Sequence, residues 1–255
     1  MADEHTQISV DGPVATITLG RPALTSQVKN ELRAAVEQVA GDSAIRAVVL
    51  TGSGKAFCVG QDLAEHAEAL RADPSTAFAT IHQHYNPIVT ALAEMPKPVI
   101  AAINGTCVGA GLGFALACDL RVAAAGVRFS TAFTGIGLTC DSGLSASLVR
   151  TAGATRAAEL ILLAETFTAE QALDWGIVNS VVAKDDFPQS AAELAARLAA
   201  GPTLAYAEAK RAIAMNWRQT LAHEAEAQAR LGLTQDHRNA VGSFLAKRPA
   251  EFTGA

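Results

Sequence analysis

The sequence predicts an α/β fold in which strands and helices alternate, followed by a helical C-terminal stretch. Three observations carry this. Apolar runs at 47–51, 98–103 and 120–124 have the length and composition of buried strands. Segments with apolar residues at helical spacing separate them. Beyond Gly153 the strand pattern gives way to alanine-rich helical spacing. The repeat of strand plus helix leaves two architectures open, a spiral of stacked ββα turns and a simple doubly wound sheet.

Gln7 to Val10 and Val14 to Leu19 alternate apolar and polar residues around Asp11-Gly12, the signature of a β-hairpin. Thr25 or Ser26 caps a helix whose Val28, Leu32, Ala35, Val36 and Val39 share one face. A strand at 47–51, a helix from about Ser75 to Glu94, a strand at 98–103, a short apolar helix after Gly109 and a strand at 120–124 follow. Helices are then expected at 154–164, 168–175, 187–200, 202–216 and from about 218 to 246.

Half of the 255 residues are apolar, which gives an ample core without disulfides. A formal charge of −5 leaves no basic patch for nucleic acid, and no run approaches the roughly 20 apolar residues of a membrane span. Cys58, Cys107, Cys118 and Cys140 are widely spaced and read as small buried hydrophobes rather than zinc ligands or a disulfide framework. Met1-Ala-Asp-Glu-His has neither the basic nor the apolar part of a signal peptide, so a cytoplasmic protein is expected.

Two strand-to-helix junctions are the candidates for chemistry. The run from Pro98 empties into Gly105, Gly109, Gly111 and Gly113, and the run Ala47–Gly52 leads into Gly54-Lys-Ala-Phe-Cys-Val-Gly-Gln-Asp-Leu63. Glycines there let backbone N–H groups approach a ligand, and a helix N-terminus carries unpaired donors and partial positive charge. Two such ends together predict a two-donor oxyanion hole. Gly109-x-Gly111-x-Gly113 departs from the dinucleotide pattern G-x-G-x-x-G, and Cys140-Asp-Ser-Gly-Leu lacks the G-x-S-x-G elbow of a serine hydrolase.

The segments Ala56-Phe-Cys-Val-Gly-Gln-Asp-Leu63 and Lys97-Pro-Val-Ile-Ala-Ala-Ile-Asn-Gly105 with Gly109 and Gly111 resemble the enoyl-CoA hydratase/isomerase (crotonase) superfamily. The likeness runs from Gly20-Arg-Pro22 through Asp174-Trp-Gly-Ile-Val178 to Phe244-Leu-Ala-Lys-Arg248. It implies the spiral, ClpP-like ββα core over 1–195, carrying the CoA site, with a helical trimerisation region over 196–255. It also implies a homotrimer or dimer of trimers, an acyl-CoA thioester substrate and no separate cofactor, since the substrate carries coenzyme A.

Matched to the family motifs, the oxyanion donors are the backbone N–H groups of Gln61 and Ala110, with Gly109 beside the thioester. Val59, Gly60 and Leu63 fall where the family binds CoA, and Phe244 and Lys247 where it closes over the nucleotide. The two glutamates that activate water in hydratases have no counterpart: their positions match Gly113 and Phe133. Neither can carry a proton, and Phe133 at the acyl group would exclude water. Asp141, in Gly137-Leu-Thr-Cys-Asp-Ser-Gly143, instead resembles the single acid of the 1,2-epoxyphenylacetyl-CoA isomerase and Δ3,Δ2-enoyl-CoA isomerase branch, although Cys140 replaces that branch's proline. Ser142 is taken as a substrate contact beside it, and Ala132, Thr134 and Gly135 as walls of the acyl pocket.

The expected function is double-bond isomerisation with Asp141 as acid and base. Hydration is the main alternative. An aryl-CoA dehalogenase would use the aspartate as nucleophile with a histidine base, but the matching helix position is Thr90, and His82 and His84 read as surface residues. A non-catalytic CoA-binding subunit is a further alternative, and Asp141 could also serve only as a helix N-cap.

Overall fold

The structure is a computed structural model, and it describes residues 5–213 and 217–250. Two sheets form the core. β1 (Gln7–Asp11) and β2 (Val14–Leu19) make the expected hairpin, with Gly12 in the left-handed region at φ 54°. β2 then runs parallel to β3 (Ala47–Gly52), β3 to β5 (Val99–Ile103), and β5 to β7 (Leu120–Ala124). The short strands β4 (Ala56–Cys58), β6 (Thr106–Val108) and β8 (Arg128–Ser130) form a second sheet in the same parallel order. Each turn of chain therefore adds one strand to each sheet before its helix. That is the spiral, and it decides against the doubly wound alternative.

α1 (Ser26–Gly41) starts at Thr25, whose hydroxyl accepts from the Val28 N–H, and all five face residues named from the sequence are buried. α4 (Ala110–Ala117) is buried on every side, which suits a helix without a polar face. All four cysteines are buried free thiols.

Several expectations need correction. The helix anticipated from Ser75 is preceded by an unforeseen one, α2 (Leu63–Ala72), capped by the Asp62 carboxylate on the Ala64 and Glu65 N–H groups. Ile81–Tyr85 is a π-helical turn, and the α-helix α3 covers only Asn86–Glu94. Pro87 accounts for this break, since it offers no N–H to the Gln83 carbonyl, which accepts from Arg33 instead at 3.0 Å. α5 (Leu144–Leu163) begins well before Gly153, which interrupts it with φ 77° and ψ 161°. The C-terminal part is also not purely helical. β9 (Phe167–Thr168) joins the second sheet and β10 (Ser180–Val182) extends the first beside β7, pairings too short to leave a periodicity.

α6 (Ala169–Asp174) and α7 (Phe187–Ala199) follow the expected ranges. The division between 195 and 196 falls inside α7, which packs on β2, β3, β5 and β7 and so belongs to the core. α8 (Thr203–Ile213) is tied to it by Lys210, whose Nζ lies 2.7 Å from Asp119 and donates to the Leu92 and Lys97 carbonyls. Residues 214–216, at the end of the expected 202–216 helix, lie outside the described residues, as do Met1 to Glu4 and 251–255. The single long helix expected to 246 is two, α9 (Trp217–Leu231) and α10 (Gln235–Leu245). Gly232 marks the break because a Cβ there would overlap the Phe78 ring.

Candidate active site

The two junctions meet at one cavity. Gly60 turns with φ 82°, a backbone conformation that favours glycine, and brings the first junction against the Val108 carbonyl oxygen and the Ala110 nitrogen, 3.4 and 3.6 Å from where its Cβ would stand. Leu24 bonds to both neighbours of Gln61, donating to the Gly60 carbonyl at 2.9 Å and accepting from the Asp62 N–H at 3.3 Å. Peptide groups alternate along an extended segment, so the N–H of Gln61 points to the opposite edge. The Ala110 N–H opens α4, where no intrahelical acceptor exists.

A cavity of about 560 Å³ lies against these groups. Val59, Gly60, Gln61, Leu63, Gly109, Ala110, Phe133, Asp141 and Phe244 all line it, and Ala132 does too. Four residues singled out from the sequence do not. Thr134 donates to the Ile161 carbonyl on the far side, and Gly135 stands clear of the lining. Lys247 is exposed beyond the end of α10. Ser142 is fully buried behind Asp141 and donates its Oγ proton to Oδ1 at 2.7 Å.

The placement of Asp141 depends on small and strained neighbours. A Cβ on Gly113 would lie 2.5 Å from that of Ser142, so the glycine makes room for the turn that presents the carboxylate. Ser142 takes φ 55° and Gly143 φ 69°, and Ala132 across the cavity takes φ 63°. Left-handed backbone at non-glycine residues costs about 1 to 2 kcal/mol each and persists where surroundings enforce it. Gly143, not Asp141, occupies the cap position of α5, and the Asp141 carbonyl accepts from the Leu144 N–H at 3.0 Å. Gln228 of α9 reaches Oδ2 with its amide at 3.4 Å. Ser142 and Gln228 thus both hold the carboxylate, which is 5% exposed and lines the cavity.

Over nearly its whole length this architecture coincides with that of an enoyl-CoA hydratase from Mycobacterium avium subsp. paratuberculosis, with a TM-score of 0.86 at 31% identity over 97% of this chain and 98% of that one. The sequence pattern of the enoyl-CoA hydratase/isomerase family matches residues 10–255. The chain belongs to the enoyl-CoA hydratase/isomerase family. Within this hydratase/isomerase family it is 41% identical to a probable enoyl-CoA hydratase of Rhodobacter capsulatus, over 94% of this chain and 95% of that one. It is 38% identical to the 1,2-epoxyphenylacetyl-CoA isomerase of Escherichia coli, over 96% and 97%.

Sequence reasoning missed several lining residues. Gln228 carried a signal, since it shares the buried face of α9 with Leu221 and Ala225 at i, i+4 and i+7, where a polar side chain needs a reason. His66 carried less, because it lies on α2, which the periodicity did not disclose, and Phe78 carried none, because it lies in the turn that follows α2. Among the histidines, His82 is exposed and His84 is bound to Thr80 and Asn30; it is His66 that reaches the cavity. Cys58, at the first junction, is no nucleophile, because burial pushes its thiol up to about 12.

Proposed function

We propose that this member of the family is an enoyl-CoA double-bond isomerase in which Asp141 moves the proton. The observation that carries this reading is the Gly113–Ser142 contact. Where hydratases of the family keep a glutamate, this chain has no side chain at all, and the space is filled by the turn that presents Asp141. Phe133 stands at the second glutamate position, so an aromatic ring lines the cavity where hydratases would place their second glutamate.

A 3-enoyl thioester would lay its carbonyl oxygen between the N–H groups of Gln61 and Ala110. Asp141 takes a proton from C2, and the electron pair moves into a dienolate whose oxygen bears the charge. Each N–H donor stabilises that charge by about 3 to 4 kcal/mol. The same carboxyl returns the proton at C4, giving the conjugated 2-enoyl thioester. No water takes part, and Phe133 helps exclude it. Val59, Gly60, Leu63 and Phe244 would border the CoA moiety, with Lys247 near its phosphates. The reading includes a homotrimer or dimer of trimers. Leu162, Leu163, Leu204 and Ile213, all at least 60% exposed, are apolar surface that such contacts would cover.

Incubation with 3-hexenoyl-CoA should give 2-hexenoyl-CoA, and Asp141→Asn should slow it by about a thousandfold or more, as loss of an essential acid/base does. Hydration of crotonyl-CoA without isomerisation of 3-hexenoyl-CoA would overturn the assignment in favour of a hydratase.

A further inference from the structure

Behind the cavity wall a chain of side chains crosses from the first junction to the C-terminal helix. The Tyr85 hydroxyl donates to Gln61 Oε1 at 2.7 Å, and Gln61 Nε2 lies 3.3 Å from His66 Nδ1. His66 Nε2 lies 2.9 Å from His237 Nε2, and His237 Nδ1 lies 2.8 Å from the Ile136 carbonyl oxygen. His66 is 3% exposed and His237 fully buried.

The last contact fixes the direction of all the others. A carbonyl only accepts, so His237 carries its proton on Nδ1, and as a neutral ring it can only accept at Nε2. His66 must then donate from Nε2, which leaves its Nδ1 as the acceptor for the Gln61 amide. Every donor meets an acceptor without a charge anywhere in the chain. Both ring nitrogens of His66 are occupied, so it has no free atom for substrate although its ring faces the cavity.

We propose that His66 and His237 are positioning residues which, as a pair of neutral rings, clasp α10 against α2 and hold Gln61 in place. This rests on the reading that the Gln61 N–H binds the thioester oxygen. The clasp joins two parts of the site. Phe244 follows His237 by seven residues on α10, on the same face, and lines the cavity. Docking of α10 over the acyl-CoA and fixing of the oxyanion peptide are then one event. Phe78 supports both rings, with centroids 5.0 Å from His66 and 5.6 Å from His237.

The charges around the pair keep it neutral. Burial holds His66 down at about 4, and His237 and Lys29 of α1 add to that effect. Burial also lowers His237; its bond to the Ile136 carbonyl opposes this, and Arg238 reinforces it. Asp62 and Glu65 of α2, with Asp141, face Lys29, which is itself buried. Charging either ring would place an N–H against a donor and reverse the chain.

Nitrogen-15 spectra of the imidazoles in the full chain test this directly. Expected at neutral pH are an Nε2–H tautomer for His66 and an Nδ1–H tautomer for His237, with His66 charging near pH 4 and His237 below its ordinary value. Identical tautomers, or titration near 6.5, would overturn the clasp. His237→Leu should raise KM for 3-hexenoyl-CoA and lower kcat by about tenfold each, and His237→Gln, which keeps an acceptor, should recover most of both. Unchanged KM and kcat in His237→Leu, with Asp141→Asn inactive, would sink the clasp and leave the isomerase reading intact. The expected tautomers together with full turnover by Asp141→Asn would sink that reading and leave the clasp. If His237→Leu does not fold, the spectra of the unmodified chain decide.

Discussion

The two junctions that meet at the cavity are built by opposite means. Val108 to Gly113 is held by the absence of side chains: Gly109 turns at φ 57°, Gly111 lies against the Cys58 carbonyl, and Gly113 lies against Ser142. Val59 to Leu63 is held by side chains brought from elsewhere, with Tyr85 and His66 gripping Gln61 and α10 closing behind them. Backbone contact tolerates no added atom, whereas a hydrogen-bonded side chain can lose one partner and keep the rest. The first kind of junction should therefore fail completely and the second by degrees.

Gly111→Ala attacks the stricter junction. Its Cβ would stand far inside van der Waals contact with the Cys58 carbonyl oxygen, so α4 must move away from β4, at a cost of about 3 to 5 kcal/mol. Thermal unfolding should register that loss, and a Tm within a degree of the parent would refute the account of this junction.

Acid probes the other. A histidine free in the unfolded chain has a pKa of about 6.5, whereas burial holds His66 at about 4 in the fold. The unfolded state binds the extra proton between these values. The neutral ring's contribution is thus complete above about pH 6.5, shrinks as pH falls and is gone by about pH 4, on the order of 3 kcal/mol. Urea titrations across this window should show the fall, and a His66→Gln variant should flatten it.

Tyr85→Phe is the mildest cut. It leaves Gln61 Oε1 without its 2.7 Å donor in a half-buried setting, worth about 1 kcal/mol, while His66 still holds the amide. Turnover should drop by less than tenfold, and a loss as large as that of Asp141→Asn would show that the grip on Gln61 is not shared.

The difference between the junctions is also the difference between what could be read and what could not. Gly109, Gly111 and Gly113 announce themselves, since glycine at a strand end has a local meaning before any neighbour is known. The hairpin at Gly12, the Thr25 cap and the apolar strands were equally legible because hydrogen bonding and periodicity act over a few residues. Asp62 followed by Glu65 is a local helix start for α2, with the Asp62 carboxylate on the Ala64 and Glu65 N–H groups. Gln61 gave only its backbone position, because the partners of its side chain lie 5 and 24 residues away, and the chain ends 176 residues on at His237.

By itself, then, the sequence determined the alternation of strands and helices, the two glycine-rich junctions, and the presence of a glycine, a phenylalanine and an aspartate at positions 113, 133 and 141. Family motifs supplied the spiral that periodicity left open. Tertiary structure alone decided that Asp141 presents its carboxylate to the cavity instead of capping α5, that Ser142 and Gln228 orient it, and that two histidines from α2 and α10 meet as neutral rings. The physical reason is range. Backbone preferences are properties of neighbouring residues, whereas burial, tautomer and hydrogen-bond direction are set by groups that only folding brings together.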